Sequence, residues 1–148
     1  MFAALQEAEK AFEDDEVPVG AVVVKDNRII GRGYNQVEKL SDPTAHAEMI
    51  AITAAANHLS NWRLTECDIF VTLEPCIMCT GALLSARINS IYFSSFDSKF
   101  GACGSIYNIA EENKMNHNIS VYSGLYSEES NLLLTQFFKK KRSQKTNH

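Results

Sequence analysis

Four side chains in two short motifs could do chemistry in this sequence. His46 and Glu48 stand in His46-Ala47-Glu48, and Cys76 and Cys79 in Pro75-Cys76-Ile77-Met78-Cys79. Each motif alone has an ordinary explanation. A histidine near a helix start often caps it or packs in the core, and a Cys-x-x-Cys suits a redox pair or half of a structural zinc site. Together they are more specific, because both fall at expected helix N-termini, where backbone N–H groups and the helix dipole favour the thiolate that binds metal. Cysteines three apart share a helix face, and a neutral imidazole adds a third ligand suited to zinc. Three protein ligands leave a fourth position open, the arrangement in which catalytic zinc acidifies a bound water.

Glu48 has two roles open to it on spacing: a fourth ligand that closes the site, or a proton carrier beside the bound water. Acid-base duty is favoured, since a carboxylate there can accept a proton and return it to substrate. A structural zinc site would need a fourth Cys or His. Cys67 and Cys103 read as packing thiols, and His58 as a partner for a helix C-terminus. His117 suits a turn or a partner contact and stays unassigned, and His148 ends a polar tail.

The elements that must position these residues follow from periodicity. Leu5, Ala8 and Phe12 have helical spacing, Val19 to Val24 is an apolar β-branched run, and Ile29 to Tyr34 a second strand. The polar turn Lys25-Asp26-Asn27-Arg28 makes the two an antiparallel hairpin at a sheet edge. Asp42-Pro43 resembles an N-cap with proline at the first helical position, so a buried helix is expected from there through His58. Ile69 to Leu73 is a third strand, Pro75 opens a helix, and Ile88 to Phe93 is a fourth strand. A glycine-punctuated loop from Phe96 to Ser105 and an irregular stretch lead to a fifth strand near Ile119 to Tyr122. A helix from about Ser127 ends the chain, with acids in its first turn and lysines in its last. Alternating strands and helices predict an α/β fold, a three-layer α/β/α sandwich whose central five-stranded sheet is mixed.

Composition agrees with one domain over residues 1–148, carrying a basic C-terminal helix and tail from about 127. The chain has 148 residues, 45% hydrophobic and 22% charged, ordinary for a globular protein and unlike a disordered one. No apolar run approaches the roughly 20 residues that span a bilayer. Acids at Glu7, Glu9, Glu13, Asp14, Asp15 and Glu16 contradict a signal or transit peptide, so a cytoplasmic location is expected. The net charge of −4 conceals an asymmetry. Lys139, Lys140, Lys141, Arg142 and Lys145 leave nine bases against 18 acids in the rest of the chain. An acidic body argues against broad nonspecific RNA binding, and puts any contact on local groups such as Lys99, Arg63 and the tail.

The paired motifs resemble the signature of the cytidine-deaminase-like zinc fold. Glu16-Val17-Pro18-Val19-Gly20-Ala21-Val22, Asp42-Pro43-Thr44-Ala45-His46-Ala47-Glu48 and Thr72-Leu73-Glu74-Pro75-Cys76 closely resemble bacterial tRNA-specific adenosine deaminases. So do the segment from Asp97 to Ser105, Met115-Asn116-His117 and Phe137-Phe138-Lys139, and the likeness spans residues 3 to 142. The resemblance implies hydrolytic deamination of adenosine to inosine at the wobble position of a tRNA anticodon, with one zinc per subunit, in a homodimer. It implies metal duty for His46, Cys76 and Cys79 and proton transfer by Glu48. It also implies base contact by Asn35 and the Ala47 N–H, and anticodon-loop contact by Asp97, Lys99, Phe137, Phe138 and Arg142. Adjacent phenylalanines on a helix diverge, so at least one of Phe137 and Phe138 should pack inward. Two other readings use the same residues: a deaminase of a free base or nucleoside of the guanine or cytosine type, and a noncatalytic zinc-stabilised RNA-binding subunit.

Overall fold

The structure, a computed structural model, describes residues 1–112 and 114–146; His148 lies outside the described residues. Helix α1 (Phe2–Glu13) leads into the hairpin β1 (Gly20–Lys25) and β2 (Arg28–Tyr34). A one-turn helix α2 (Val37–Leu40), α3 (Ala47–Leu59), β3 (Asp68–Leu73), α4 (Ile77–Ser85), β4 (Ser90–Ser95), β5 (Ser120–Ser123) and α5 (Ser127–Thr146) follow. The strands form one sheet in the order β2-β1-β3-β4-β5. β1 pairs antiparallel with both β2 and β3, whereas β3, β4 and β5 run parallel. The expected mixed five-stranded sheet is therefore present, with the hairpin at one edge.

Asp26 and Asn27 both adopt positive φ, the conformation that lets a two-residue turn follow the strand twist. β1 lies between β2 and β3 and is buried from Gly20 to Val23, which explains its unbroken apolar run. The main core lies between the sheet and the face carrying α3 and α4. There Val23, Ile69, Val71, Ile91 and Phe93 meet Ala51, Ala55, Leu83 and Leu84. α1 and α5 pack on the opposite face, joined to each other by an edge-to-face contact of Phe12 with Phe137 (centroids 6.2 Å apart), and α5 is tied to β3 by the Ser130 hydroxyl donating to the Thr72 carbonyl.

One packing feature bears directly on the metal-binding motif. Ala47, Ala51 and Ala55 recur every four residues along α3 and are fully buried against the hairpin. Opposite them stand Gly31 and Gly33. A Cβ on Gly33 would come within 2.3 Å of the Ala47 carbonyl oxygen, and one on Gly31 within 2.4 Å of that of Ala51. Only glycine lets the helix lie this close, and the contact fixes the height of the α3 N-terminus above the sheet.

The expected start of that helix needs correction. Asp42 does not cap α3; its carboxylate accepts hydrogen bonds from the Thr44 N–H (2.8 Å) and hydroxyl (2.7 Å), closing a turn. The chain stays extended at His46 (φ −72°, ψ 154°), which is the residue that caps α3. In the same way Cys76, rather than Pro75, caps α4.

Candidate active site

His46 and Cys76 thus occupy equivalent places, each the last extended residue before a helix, and Cys79 lies in the first turn of α4. The two helix ends converge. His46 Nδ1 lies 3.7 Å from Cys76 Sγ and 3.5 Å from Cys79 Sγ, and the three donor atoms fall within 4.8 Å of one another. Tetrahedral zinc with Zn–S of about 2.3 Å and Zn–N of about 2.0–2.1 Å places N and S roughly 3.6 Å apart. The donor set fits that ion in type and spacing. Among the described residues these three form the one cluster able to hold a metal, and Glu48 is not part of it.

The protonation preferences of the cluster diverge. Hydrogen bonds from the Cys79 thiol and then from His46 draw Cys76 down to about 4, which favours its thiolate. Cys79 is pushed up, because its proton is held against the Cys76 sulfur and its surroundings are dry. His46 is raised by its hydrogen bond to Cys76. Burial raises Glu48, which is 4% exposed. Cys103, pushed up to about 12 by burial, shares a 3.3 Å contact with the Thr80 hydroxyl and stays a neutral packing thiol. Cys67 is fully buried in the core. His117 Nε2 sits 2.6 Å from the Ile88 carbonyl, tying the chain before β5 to the start of β4.

A match to the model for the cytidine and deoxycytidylate deaminase zinc-binding region covers residues 1–95, all four chemical residues included. The chain belongs to this zinc deaminase family. Among its relatives, the tRNA-specific adenosine deaminase of Aquifex aeolicus is 49% identical over 140 residues, covering 95% of this chain and 92% of its own length. That of Haemophilus influenzae is 48% identical over 143 residues, covering 96% and 83%. A solved structure from studies of A-to-I editing by tRNA:A34 deaminases superimposes with a TM-score of 0.85 at 45% identity, over 88% of this chain and 95% of that one. The guanine deaminase of Bacillus subtilis fits less well, with a TM-score of 0.62 at 34% identity over 68% of each chain. Like other members of the deaminase family, the chain is a zinc protein.

The structure sorts the remaining expected residues. The Gln36 N–H donates to the Ala45 carbonyl (3.0 Å), which brings Asn35 beside the segment leading to His46. Asn35 is nearly buried, donating to the Val17 carbonyl (3.3 Å) and accepting from the Val37 N–H (3.4 Å). Ala47 is the first residue of α3, where an N–H has no acceptor within the helix. Lys99, Phe138 and Arg142 come together with Lys141 and Lys145 around an open groove of about 350 Å³. Phe137 is a correction: it is 4% exposed and packs on Phe12, so its ring offers no face to a ligand. Asp97 uses its carboxylate within the chain, accepting from the N–H groups of Lys99 (3.0 Å) and Phe100 (3.2 Å).

Sequence reasoning missed two buried acids. Glu16 accepts hydrogen bonds from the N–H groups of Glu38 (3.2 Å) and Lys39 (2.6 Å), holding α2 beside Asn35. Glu74, 2% exposed, precedes Pro75-Cys76 and collects its hydrogen bonds from the loop after β4. An acid ending an apolar strand directly before a metal motif was the available signal.

Proposed function

We propose that this zinc deaminase hydrolyses adenosine to inosine at the wobble position of a tRNA anticodon. One observation carries the reading. A three-donor site with a buried carboxylate beside it shares a loop with a basic groove: Gly101 pairs with Cys76, and Lys99, two residues before, lines the groove. Relatives named tRNA-specific adenosine deaminases match the chain almost end to end, and the solved structure from studies of A-to-I editing at the tRNA wobble position shares its fold.

His46, Cys76 and Cys79 would hold the zinc, which when bound would supply the Lewis acidity that makes water a nucleophile near neutral pH. Glu48 takes one proton from the attacking water as its oxygen bonds to C6 and delivers it to N1 of the adenine, then takes the second proton from the new C6 hydroxyl and passes it to the exocyclic amine as the C6–N bond breaks. The balance is one water consumed and one ammonia released. Burial suits Glu48 to this work, because raised proton affinity brings a carboxyl closer to the operating pH. The Asn35 amide and the Ala47 N–H hold the base, while Lys99, Arg142 and the half-exposed ring of Phe138 hold the backbone and a neighbouring base. An anticodon loop already presents unpaired bases, so little unstacking is required.

A homodimer in the cytoplasm completes the reading. Exposed Phe96, Phe100, Ile106 and Tyr107 give a second copy an apolar surface to cover, and no helix among the described residues is long and apolar enough to cross a membrane. The deciding experiment incubates the purified protein with an anticodon stem-loop, free adenine and free guanine, with and without a chelator. Inosine in the stem-loop, abolished by chelation, is expected. Ammonia from the free bases alone would replace the tRNA reading with the free-base one.

A further inference from the structure

The Glu74 carboxylate is the hub of a loop that lies 23 to 31 residues further along the chain. Oε1 accepts from the Asp97 N–H (3.0 Å) and the Ser105 hydroxyl, and Oε2 from the N–H groups of Cys103 and Ser105 (3.0 Å each). The loop folds directly over this group: a Cβ on Gly101 would lie 2.3 Å from it, so only glycine fits. Beside it the Ala102 N–H donates to the Pro75 carbonyl (2.9 Å), and Gly101 pairs with Cys76. A continuous path leads outward. Glu74 holds the Asp97 backbone, the Asp97 carboxylate holds the Lys99 and Phe100 backbones, and Lys99 lines the groove with Phe138 and Arg142.

We infer that Glu74 is a positioning residue for RNA, setting the register between the metal-bearing Pro75-Cys76 segment and the Lys99 wall of the groove. This inference rests on the tRNA deaminase reading. A carboxylate satisfied by four donors resists replacement, since an amide oxygen serves one side and its NH₂ faces the donors on the other. The loop would then reseat, moving Lys99 while leaving His46, Cys79 and Glu48 on helices it does not build.

The test is a double-mutant cycle on the full chain with an anticodon stem-loop, using Glu74→Gln, Lys99→Ala and the pair. Zinc per chain should stay near that of the parent in all three. Each single variant should raise KM for the stem-loop roughly tenfold with kcat within about threefold, and the double variant should be no worse than either, because both disable one contact. Amide exchange should rise in residues 97–105 of Glu74→Gln and not in α4. Additive effects of the two substitutions, an unchanged KM, or zinc loss from Glu74→Gln would each overturn the inference. If Glu74→Gln fails to fold, Ser105→Ala, which removes one donor, must show the same KM rise in smaller measure, and its absence overturns the inference too. A parent protein that makes no inosine would instead overturn the deaminase reading itself.

Discussion

At the scale of single residues, the site separates groups that hold charge from one that can pass a proton. Hydrogen bonding from Cys79 and His46 favours the Cys76 thiolate, whereas burial makes Glu48 reluctant to ionise. Glu48 lies outside the donor cluster, so a change there should spare the metal. Glu48→Gln is expected to keep zinc and stem-loop binding while kcat falls by about 10²–10⁴. Metal analysis beside single-turnover inosine formation checks this, and near-normal turnover would remove Glu48 from the mechanism. The three candidate ligands and Glu48 could be picked out in the sequence because each motif is local: N-cap positions and first turns bring neighbouring residues to one place. Glu74 could not, because its donors lie 23 to 31 residues away. Of Phe137 and Phe138, the sequence shows that they diverge; only the contact with Phe12 shows which one is buried.

At the scale of elements, the position of His46 depends on how closely α3 lies on the hairpin. Gly33→Ala puts a Cβ against the rigid Ala47 carbonyl, and such overpacking costs about 1–3 kcal/mol. Zinc affinity should fall with stability, since Ala47 follows the ligand directly. Gly81→Ala is the contrasting change: a Cβ there meets nothing within 4 Å in α4, and alanine in a helix is favoured by about 0.5–1 kcal/mol. Chemical denaturation with a competing zinc chelator should give opposite signs for the two variants. The strands and long helices could be read from β-branched runs and helical spacing. The α3 start could not, because Asp42 and Thr44 close a turn that imitates a cap. The single turn of α2 was missed as well, since it is held by Glu16 across 22 residues of chain.

At the scale of the whole molecule, a body with an excess of acids carries a cluster of five basic side chains near the end of α5. Part of that charge is already committed: Lys140 and Lys141 both pair with Asp15 at the end of α1. Lys99, Arg142 and Lys145 in the groove therefore carry most of the expected RNA attraction. The logarithm of stem-loop affinity should fall with the logarithm of salt, and Arg142→Ala should flatten the slope by about 0.7, the value for one single-stranded phosphate contact. Lys139→Ala, outside the groove, should leave it unchanged. Fluorescence anisotropy over a salt series measures both, and equal slopes for the parent and Arg142→Ala would exclude the groove as the phosphate track. The loop hung from Glu74 has a consequence for descent. The match to the zinc-binding-region model ends at Ser95, one residue before that loop begins, so His46, Cys76, Cys79 and Glu48 lie inside the part common to zinc deaminases, while the likeness to the tRNA-specific relatives continues through the loop and into α5. A lineage can therefore inherit the reaction unchanged and alter its substrate by rewriting the segment after Ser95, provided the new segment still offers Glu74 its donors.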